Sequence, residues 1–491
     1  MKKMLRDVLK KVSILKIIGI DTVFIEGIAI SSKEVNKNMI FVAKNGENTD
    51  GHKFIVDAIE KGANTILCEV IPVNNRYENV TYVSVTDSMI ALGIISSNFY
   101  DHPTKKIKLI GVTGTNGKTS VVNILHQLFN SMGKKSILIS TVGIVIISKK
   151  YPTTHTTPNI IDINKYLNLS IKKGCEYAFM EVSSHGIYQK RIFGLLFIGG
   201  IFTNITHDHL DYHKNFNNYL STKKSFFESL SKESFALINS DDKNSKNIIK
   251  NILAKTFFYG LKKDVDFKIK ILENSINGIK LLINGKKAYT KLIGEFNVYN
   301  ILASYATSIL LLGEKQNNKI IETIKSIKPI KGRFEQFSSK SGIKIIVDYA
   351  HNPDALNTIF NAIKKIKKNE NRLICVIGCG GDRDKKKRSL MGKLVYEKCN
   401  VSIFTSDNPR NEDPEKILID MKNFKSYLKK NILTFVSRKK AIETAIKIAK
   451  KKDIILIAGK GHEIFQEVKG KYYPFDDMKI AKEILRKYYH L

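Results

Sequence analysis

The sequence predicts an α/β protein of three domains, built largely on parallel sheets. Three observations predict it. Short apolar runs of strand length alternate with stretches of helical period along the whole chain. The length of 491 residues accommodates about three domains at roughly 100–200 residues each. A hydrophobic fraction of 43% is enough for well-formed cores and excludes a mainly disordered chain.

The first domain, residues 1–104, reads as a small α/β unit. Residues 40–43 and 65–68 are short buried strands, with a helix-like stretch over 53–61 between them. Asp101-His102-Pro103-Thr104 then breaks the pattern and marks a boundary. The second domain, 105–330, opens with a buried strand over 107–112, a Gly-rich loop and a helix. In that helix Val121, Leu125, Leu128 and Met132 share one 3.6-period face. Apolar strands follow at 177–182 and 198–203, which predicts a mostly parallel sheet. The third domain, 331–491, carries strands at 343–347, 373–377, 401–405 and 454–458. Each ends in a polar or Gly-rich loop: DYAHNP, GCGGDRD, SDNPR and GKGHE. Ligands of open α/β sheets bind beyond the carboxyl ends of the strands, so four such loops predict a ligand surface. Asn352 and Pro353 form a helix start, cap then first position, with Leu356, Ile359, Phe360 and Ile363 on its buried face.

Composition narrows the function class. Lys and Arg number 81 against 46 Asp and Glu, a formal charge of +35. Only ten of the basic residues are Arg, the residue suited to bidentate phosphate and base contacts, and the lysines spread over the whole length. A basic nucleic-acid-binding ATPase predicts clustered Arg or basic stretches interleaved with aromatics, and the sequence has neither. The positive field instead suits the collection of anionic small substrates. The five cysteines are scattered, with no CxxC pair, which argues against a disulfide scaffold and for a reducing compartment. The N-terminal apolar stretch is broken by Lys16 and Asp21. The longest apolar run, 137–147, is short of the ~18 residues a membrane helix needs. A cytoplasmic protein without membrane insertion is expected.

The strongest local signal is Gly111-Val112-Thr113-Gly114-Thr115-Asn116-Gly117-Lys118-Thr119, between a strand and a helix. This is the context of a phosphate-binding loop. Glycines let backbone N–H groups approach phosphate oxygens, and the helix N-terminus adds a favourable dipole. Lys118 is placed for the β/γ-phosphates and the Thr119 hydroxyl for Mg²⁺. GCGG hints at a dinucleotide fingerprint, but Arg383 stands at its third glycine position and rejects that reading.

Further blocks follow the GTNGKT loop in order: MEVSSHG (180–186), TNITHDHLDYH (203–213), GEFNVYN (294–300), GRFE (332–335), DYAHNP (348–353), GCGGDRDKKKR, SDNPRNEDP and GKGHE. Together they give a chain that resembles the Mur ligases, ATP-dependent amide-bond ligases of peptidoglycan precursor synthesis. The last three blocks resemble those of the members that add meso-diaminopimelate to UDP-N-acetylmuramoyl-L-alanyl-D-glutamate. The resemblance implies a UDP-sugar-binding N-terminal domain, a central P-loop ATPase domain and a Rossmann-like C-terminal domain. It implies transfer of the ATP γ-phosphoryl group to the D-Glu carboxylate, then attack by an amine on the acyl phosphate.

The resemblance also assigns residues. It implies ATP contacts from Gly114, Thr115, Asn116, Gly117, Lys118, Thr119 and Ser120, adenine-side Asn297 and Asn300, γ-phosphate-neutralising Arg333 and ribose-holding Asp348. Glu181 and His209 match Mg²⁺ ligands, beside Thr119. His207, His209 and His213 with Asp208 and Asp211 look like a zinc cluster, but the resemblance gives His209 to Mg²⁺ and leaves His207 on the surface. Lys223, 15 residues after Asp208, stands where the family carries a carbamylated lysine. A carbamate turns a cation into an anion able to bind Mg²⁺, whereas a lysine of pKa about 10.4 repels it. Lys224 is adjacent, and spacing favours Lys223.

Arg410, within Asp407-Asn408-Pro409-Arg410, supplies a planar fork for the second carboxylate that distinguishes meso-diaminopimelate from lysine. Arg383, Gly459 and Glu463 complete that site, with Glu463 pairing the distal ammonium. Ser183, Gln189 and Arg191 match contacts to the muramoyl dipeptide. Thr156 and Thr157 match a Thr-Thr pair, preceded by His155 in place of the family's Asn. Ile30 and Ser32 fit the uridine contacts; Lys33 replaces an Arg, and Glu47-Asn48-Thr49 replaces a contact loop. A ligase adding lysine or glutamate is the near rival, and Arg410 with GKGHE argues against it. A non-catalytic protein of this fold has no need for every phosphate- and metal-directed residue. A monomer is expected, with domain closure, because the ATP and amino-acid sites fall on different domains.

Overall fold

The structure is a computed structural model that describes residues 1–44, 46, 49–73, 77–262, 264–275, 277–339, 342–367, 370–424 and 432–489. Glu47 and Asn48 of the expected uridine loop lie outside the described residues. Three large sheets follow one another along the chain.

The first has five strands in the order Ile14–Ile18, Thr81–Val85, Ala63–Cys68, Met39–Ala43 and Gly27–Ala29. Only Ile14–Ile18 runs antiparallel to its neighbour. Ile40, Val42, Ile66 and Leu67 are wholly buried, as their apolar runs require.

The second sheet has eleven strands. Its centre, Ser136–Ser140, Tyr177–Glu181, Lys108–Thr113, Gly199–Phe202, Phe235–Asn239, Lys255–Gly260 and Phe267–Ser275, is parallel throughout. Antiparallel strands extend both ends: Gly143–Ile146 and Lys149–Tyr151 on one side, Gly278–Ile283 and Lys286–Thr290 on the other. The long apolar run at 137–147 is therefore two paired strands turning back at Thr141 and Val142. Helix Lys118–Ser131 lays Val121, Leu125 and Leu128, each fully buried, against this sheet.

The third sheet runs Glu335–Ser338, Lys344–Asp348, Ile454–Ala458, Leu373–Ile377, Val401–Thr405 and Ile432–Phe435. All but the first strand are parallel, so the four expected loops emerge on one edge. The Asn352 side chain caps helix Pro353–Ile366 by accepting from the Ala355 N–H at 2.8 Å. A separate hairpin, Phe465–Val468 with Lys471–Pro474, lies outside this sheet.

The second and third sheets meet at the phosphate loop. Arg333 Nη2 donates to Thr119 Oγ1 at 3.1 Å, and Asn352 Nδ2 donates to Asp208 Oδ2 at 3.1 Å. All five cysteines are buried free thiols. Among the described residues no helix is long and apolar enough to cross a membrane.

Candidate active site

The phosphate loop takes the form its glycines dictate. Gly114 and Gly117 both adopt positive φ, 147° and 89°. A side chain at Gly114 would strike Thr203 Oγ1, and one at Gly117 would come within 2.7 Å of Asn300 Oδ1. The loop is held from beside: Thr115 N–H donates to Asn204 O at 2.8 Å and Asn116 N–H to Asn204 Oδ1 at 2.9 Å. Lys118 Nζ donates to the carbonyls of Gly114 and Thr115, both at 2.8 Å. Thr119 and Ser120 are buried in the first turn of the helix.

Glu181 ends the strand beside this loop and is 1% exposed. Its Oε1 accepts from the Thr141 N–H at 2.9 Å. Lys223 is also 1% exposed, and its Nζ donates to Gly114 O at 2.9 Å. Burial, then the neighbouring Lys118 charge, hold the Lys223 amine well below the ordinary lysine range. Lys224 instead pairs with Glu228 at 2.7 Å on the outer side of the helix. The helix thus turns Lys223, not Lys224, toward the phosphate loop.

His209 and His213 stay together around His185 and Tyr219, while His207 packs elsewhere. His207 lies against Phe216, His209 edge-on to His185, and His213 against Tyr219. Among the described residues no three His, Cys, Asp or Glu side chains converge as a metal cage. A divalent cation fits the phosphate loop differently. Glu181 and Thr119 are hard oxygen donors there, and Mg²⁺ takes few protein ligands beside substrate phosphates.

One cleft adjoins this loop, and a second lies next to the first. The first, about 350 Å³, is lined by Asn116, Gly117, Ser120, Asn300, Arg333 and Asp348, with Phe296 and Tyr299 as aromatic walls. Asn297 lies behind it: its Oδ1 accepts from Asn300 Nδ2 at 3.1 Å, and its Nδ2 donates to Ile293 O. Asn300 therefore faces the cleft and Asn297 orients it. The Arg333 guanidinium also stacks on Tyr349, 4.5 Å from the ring centre. Asp348 accepts from the N–H groups of Phe334 and Ala350, and burial pushes its carboxyl above the usual carboxylate range.

The second cleft, about 410 Å³, is lined by Asp208, His209, Arg383, Asp407, Asn408, Arg410, Gly459 and Glu463. Tyr349 and His351 line both clefts. His351 Nδ1–H donates to Tyr349 O at 2.9 Å, which turns Nε2 away as an acceptor, and burial lowers the imidazole pKa. Pro409 is buried within its loop, and its carbonyl caps Glu412 N–H at 3.0 Å. Glu463 accepts from Asn408 Nδ2 at 2.9 Å and from the wholly buried Lys460 at 2.7 Å.

A third group forms a connected row beside Glu181. Thr157 Oγ1 donates to Glu181 O at 2.8 Å and receives Ser183 N–H at 2.9 Å. Arg191 donates to Thr157 O and to Gln189, and Gln189 Nε2 donates to Tyr212 OH at 3.0 Å. Thr156 Oγ1 accepts from Thr141 Oγ1 at 3.1 Å, while His155 is exposed against Thr154. Ile30 and Ser32 stand in the first sheet's region, where the Ser32 hydroxyl bonds Asp57.

Known proteins resemble this chain along its length. Residues 112–308 match the Mur ligase middle domain, 332–461 the glutamate ligase domain of Mur ligases and 24–100 the Mur ligase family catalytic domain. The UDP-N-acetylmuramoyl-L-alanyl-D-glutamate–2,6-diaminopimelate ligase of Cytophaga hutchinsonii is 47% identical over 482 residues, 98% of this chain and 99% of that one. This chain belongs to the Mur ligase family. The enzyme of the same name from Phocaeicola vulgatus is 45% identical over 481 residues, covering 98% and 99% of the two chains. A solved UDP-N-acetylmuramoyl-L-alanyl-D-glutamate–2,6-diaminopimelate ligase superposes with a TM-score of 0.68 at 28% identity, covering both chains fully. MurF from Acinetobacter baumannii, at 14% identity and a TM-score of 0.67 over 99% of each chain, shares the fold.

Sequence reasoning passed over several residues that line this Mur ligase's clefts or support their lining. Phe296 and Tyr299 lie within GEFNVYN and Tyr349 within DYAHNP, where only the Asn and Asp residues drew a role, and His351 was given no catalytic role. Lys460 sits inside GKGHE, where a lysine between glycines reads as exposed. Glu467 carried no motif at all.

Proposed function

We propose that this Mur ligase joins meso-2,6-diaminopimelate to the D-Glu carboxyl of UDP-N-acetylmuramoyl-L-alanyl-D-glutamate, driven by ATP, in peptidoglycan precursor synthesis. The observation that carries this reading is the meeting of the two clefts at Tyr349 and His351, phosphate loop on one side and Arg410 on the other. We assign residues 1–104 to the UDP sugar, 105–330 to ATP and the ligase chemistry, and 331–491 to the amino acid.

The chemistry brings an anionic carboxylate against a triphosphate, so neutralisation and positioning supply most of the catalysis. Lys118 and Arg333 take the phosphate charge. The carboxylate oxygen attacks the γ-phosphorus and ADP leaves. The amine nitrogen of diaminopimelate then attacks the acyl carbon. The tetrahedral centre collapses to amide as inorganic phosphate departs, and the nitrogen loses its proton. Asn300 addresses the base and Asp348 the ribose, while Ser183, Gln189, Arg191, His155, Thr156 and Thr157 hold the muramoyl dipeptide, with Ile30 and Ser32 at the uridine end. Arg410 receives the distal carboxylate and Glu463 the distal ammonium, with Arg383, Asp407, Asn408, Pro409 and Gly459 shaping the site. Lysine leaves Arg410 without a carboxylate, which is the basis of discrimination.

Thr119, Glu181, His209 and Lys223 as a carbamate are the residues for Mg²⁺, which when bound neutralises phosphate charge. A carbamate on Lys223 is supported by chemistry. The buried amine is biased toward its neutral form, and attack on CO₂ gives N-carboxylate plus one proton. Labelling with ¹³CO₂ is expected to give one carbamate carbon signal that Lys223→Ala loses. A monomer in the cytoplasm, without nucleic-acid partners, fits this reading.

The test is product analysis with ATP, Mg²⁺, UDP-N-acetylmuramoyl-L-alanyl-D-glutamate and meso-diaminopimelate. The expected result is a UDP-tripeptide heavier by one diaminopimelate residue, with one ADP and one phosphate per product. ATP hydrolysis without that product contradicts the reading.

A further inference from the structure

The hairpin after GKGHE pairs with no strand of the third sheet and is tied instead to the Asp407–Arg410 loop. Its turn, Lys469-Gly470, has both residues at positive φ, 48° and 72°, as a two-residue hairpin loop requires. The strand leading into it is stitched to the Asp407–Arg410 loop at four places. Arg410 N–H donates to Glu467 O at 3.1 Å and Lys469 N–H to Arg410 O at 2.8 Å. Glu467 N–H donates to Asn408 Oδ1 at 3.0 Å, and Gln466 Nε2 to Asp407 O at 2.6 Å. Arg410 itself sits at φ 50°, a left-handed conformation that a side chain adopts at a cost, so the stitching holds it there.

The guanidinium is fixed in the same way. Its Nε donates to Glu467 Oε2 at 3.1 Å and its Nη1 to Gly381 O at 2.7 Å. Both side chains of the pair are 21% exposed. Among the described residues Nη2 has no protein partner, and Arg410 lines the amino-acid cleft. Nε and Nη1 are therefore anchored, and the Nη2 N–H donors remain for a ligand.

We propose that Glu467 is a positioning residue that pre-sets Arg410 for the distal carboxylate of diaminopimelate. It thereby fixes amino-acid selectivity without touching the substrate. The inference rests on the function proposed above. A guanidinium ordered beforehand loses less freedom on binding, and the benefit falls on the substrate that carries the second carboxylate.

The experiment uses the full-length enzyme and its Glu467→Ala and Glu467→Gln variants. Initial rates are measured at saturating ATP and UDP-dipeptide, against meso-diaminopimelate and, separately, L-lysine. Glu467→Ala is expected to raise KM for diaminopimelate about tenfold and to narrow the preference over lysine by a similar factor. Its kcat and its KM for ATP stay within about twofold. Glu467→Gln keeps an acceptor for Nε and stays within about threefold of the parent. An unchanged KM in Glu467→Ala overturns the inference. So does a lowered KM, which makes Glu467 a competitor of the substrate. So does equal damage in Glu467→Gln with ATP affinity falling alongside, which makes the role general packing. A parent enzyme indifferent to diaminopimelate overturns the proposed function, and this inference with it.

Discussion

The cleft we assign to the nucleotide and the cleft we assign to the amino acid approach anion recognition by different means. The nucleotide side relies on backbone: a glycine-shaped loop and a helix N-terminus, held where the Thr115 and Asn116 N–H groups donate to Asn204. Its side chains, Lys118 and Arg333, lie close to that loop. The amino-acid side relies on ion pairs between segments far apart in sequence. Arg388 is 1% exposed and ties Glu412 and Asp420 to the Gly380 carbonyl. Arg438 is wholly buried, bonds Asp477 through two nitrogens at 2.7 Å, and donates to the carbonyls of Ser406 and Ala458. Those carbonyls immediately precede Asp407 and Gly459, so one buried pair holds two substrate loops. The lesson is that the phosphate loop is shaped within one stretch of chain, whereas the loops of the second cleft are held by charges distant in sequence.

The largest expected effect strikes the amino-acid side. Arg438→Met leaves Asp477 buried without its partner and is expected to cost about 3–5 kcal/mol of stability, read by urea unfolding. The double variant Arg438→Met with Asp477→Leu is expected to recover most of that loss, because two apolar side chains leave no stranded charge. A single variant as stable as the parent breaks the comparison.

Lys118→Ala is next. Loss of a preorganised phosphate donor is expected to slow phosphate release about 10²–10³-fold with little change in melting temperature. Stopped or continuous phosphate assays check the rate, and a large melting shift would make the lysine structural.

Arg410→Lys keeps the charge but loses the fork. It is expected to raise KM for diaminopimelate about tenfold or more while KM for ATP holds. A parallel rise in both constants would mean the two clefts are not separable.

Acid gives the smallest effect and resolves the regions by pH. Burial lowers His126, in the helix behind the phosphate loop, from 6.5 to about 4, where its Nε2–H donates to Ile147 O. The unfolded chain takes that proton first, so this contribution is present above pH 6.5 and declines as pH falls toward 4. The Arg388 hydrogen bonds lower Glu412 from 4.5 to about 2. Its contribution is present above pH 4.5 and is lost as pH falls toward 2. His126→Gln should flatten the unfolding free energy over the upper window and Glu412→Gln over the lower one. A His126→Gln effect confined to below pH 4, or a Glu412→Gln effect confined to above pH 4.5, would contradict the assignment.

What could be read from the residues follows the same division. Strands 373–377, 401–405 and 454–458 appear with the expected bounds, because a continuous apolar run buried on both faces is a strong local signal. The cap-and-proline start of helix Pro353–Ile366 was equally local. Strands Phe267–Ser275, Gly278–Ile283 and Lys286–Thr290 escaped, since alternating Lys and Ile on a half-exposed meander gives no long run. Asn297 matched a motif, yet only the fold shows that it orients Asn300 from behind. Lys460 and Glu467 were illegible, because their partners come from a loop more than fifty positions upstream.

The most direct test of the central claim is phosphate release from ATP with Mg²⁺ and UDP-N-acetylmuramoyl-L-alanyl-D-glutamate, run in parallel with meso-diaminopimelate and with L-lysine. Release strongly favouring meso-diaminopimelate, with that preference lost in Arg410→Ala, is the predicted result. Equal or lysine-favoured release by the parent enzyme would contradict it.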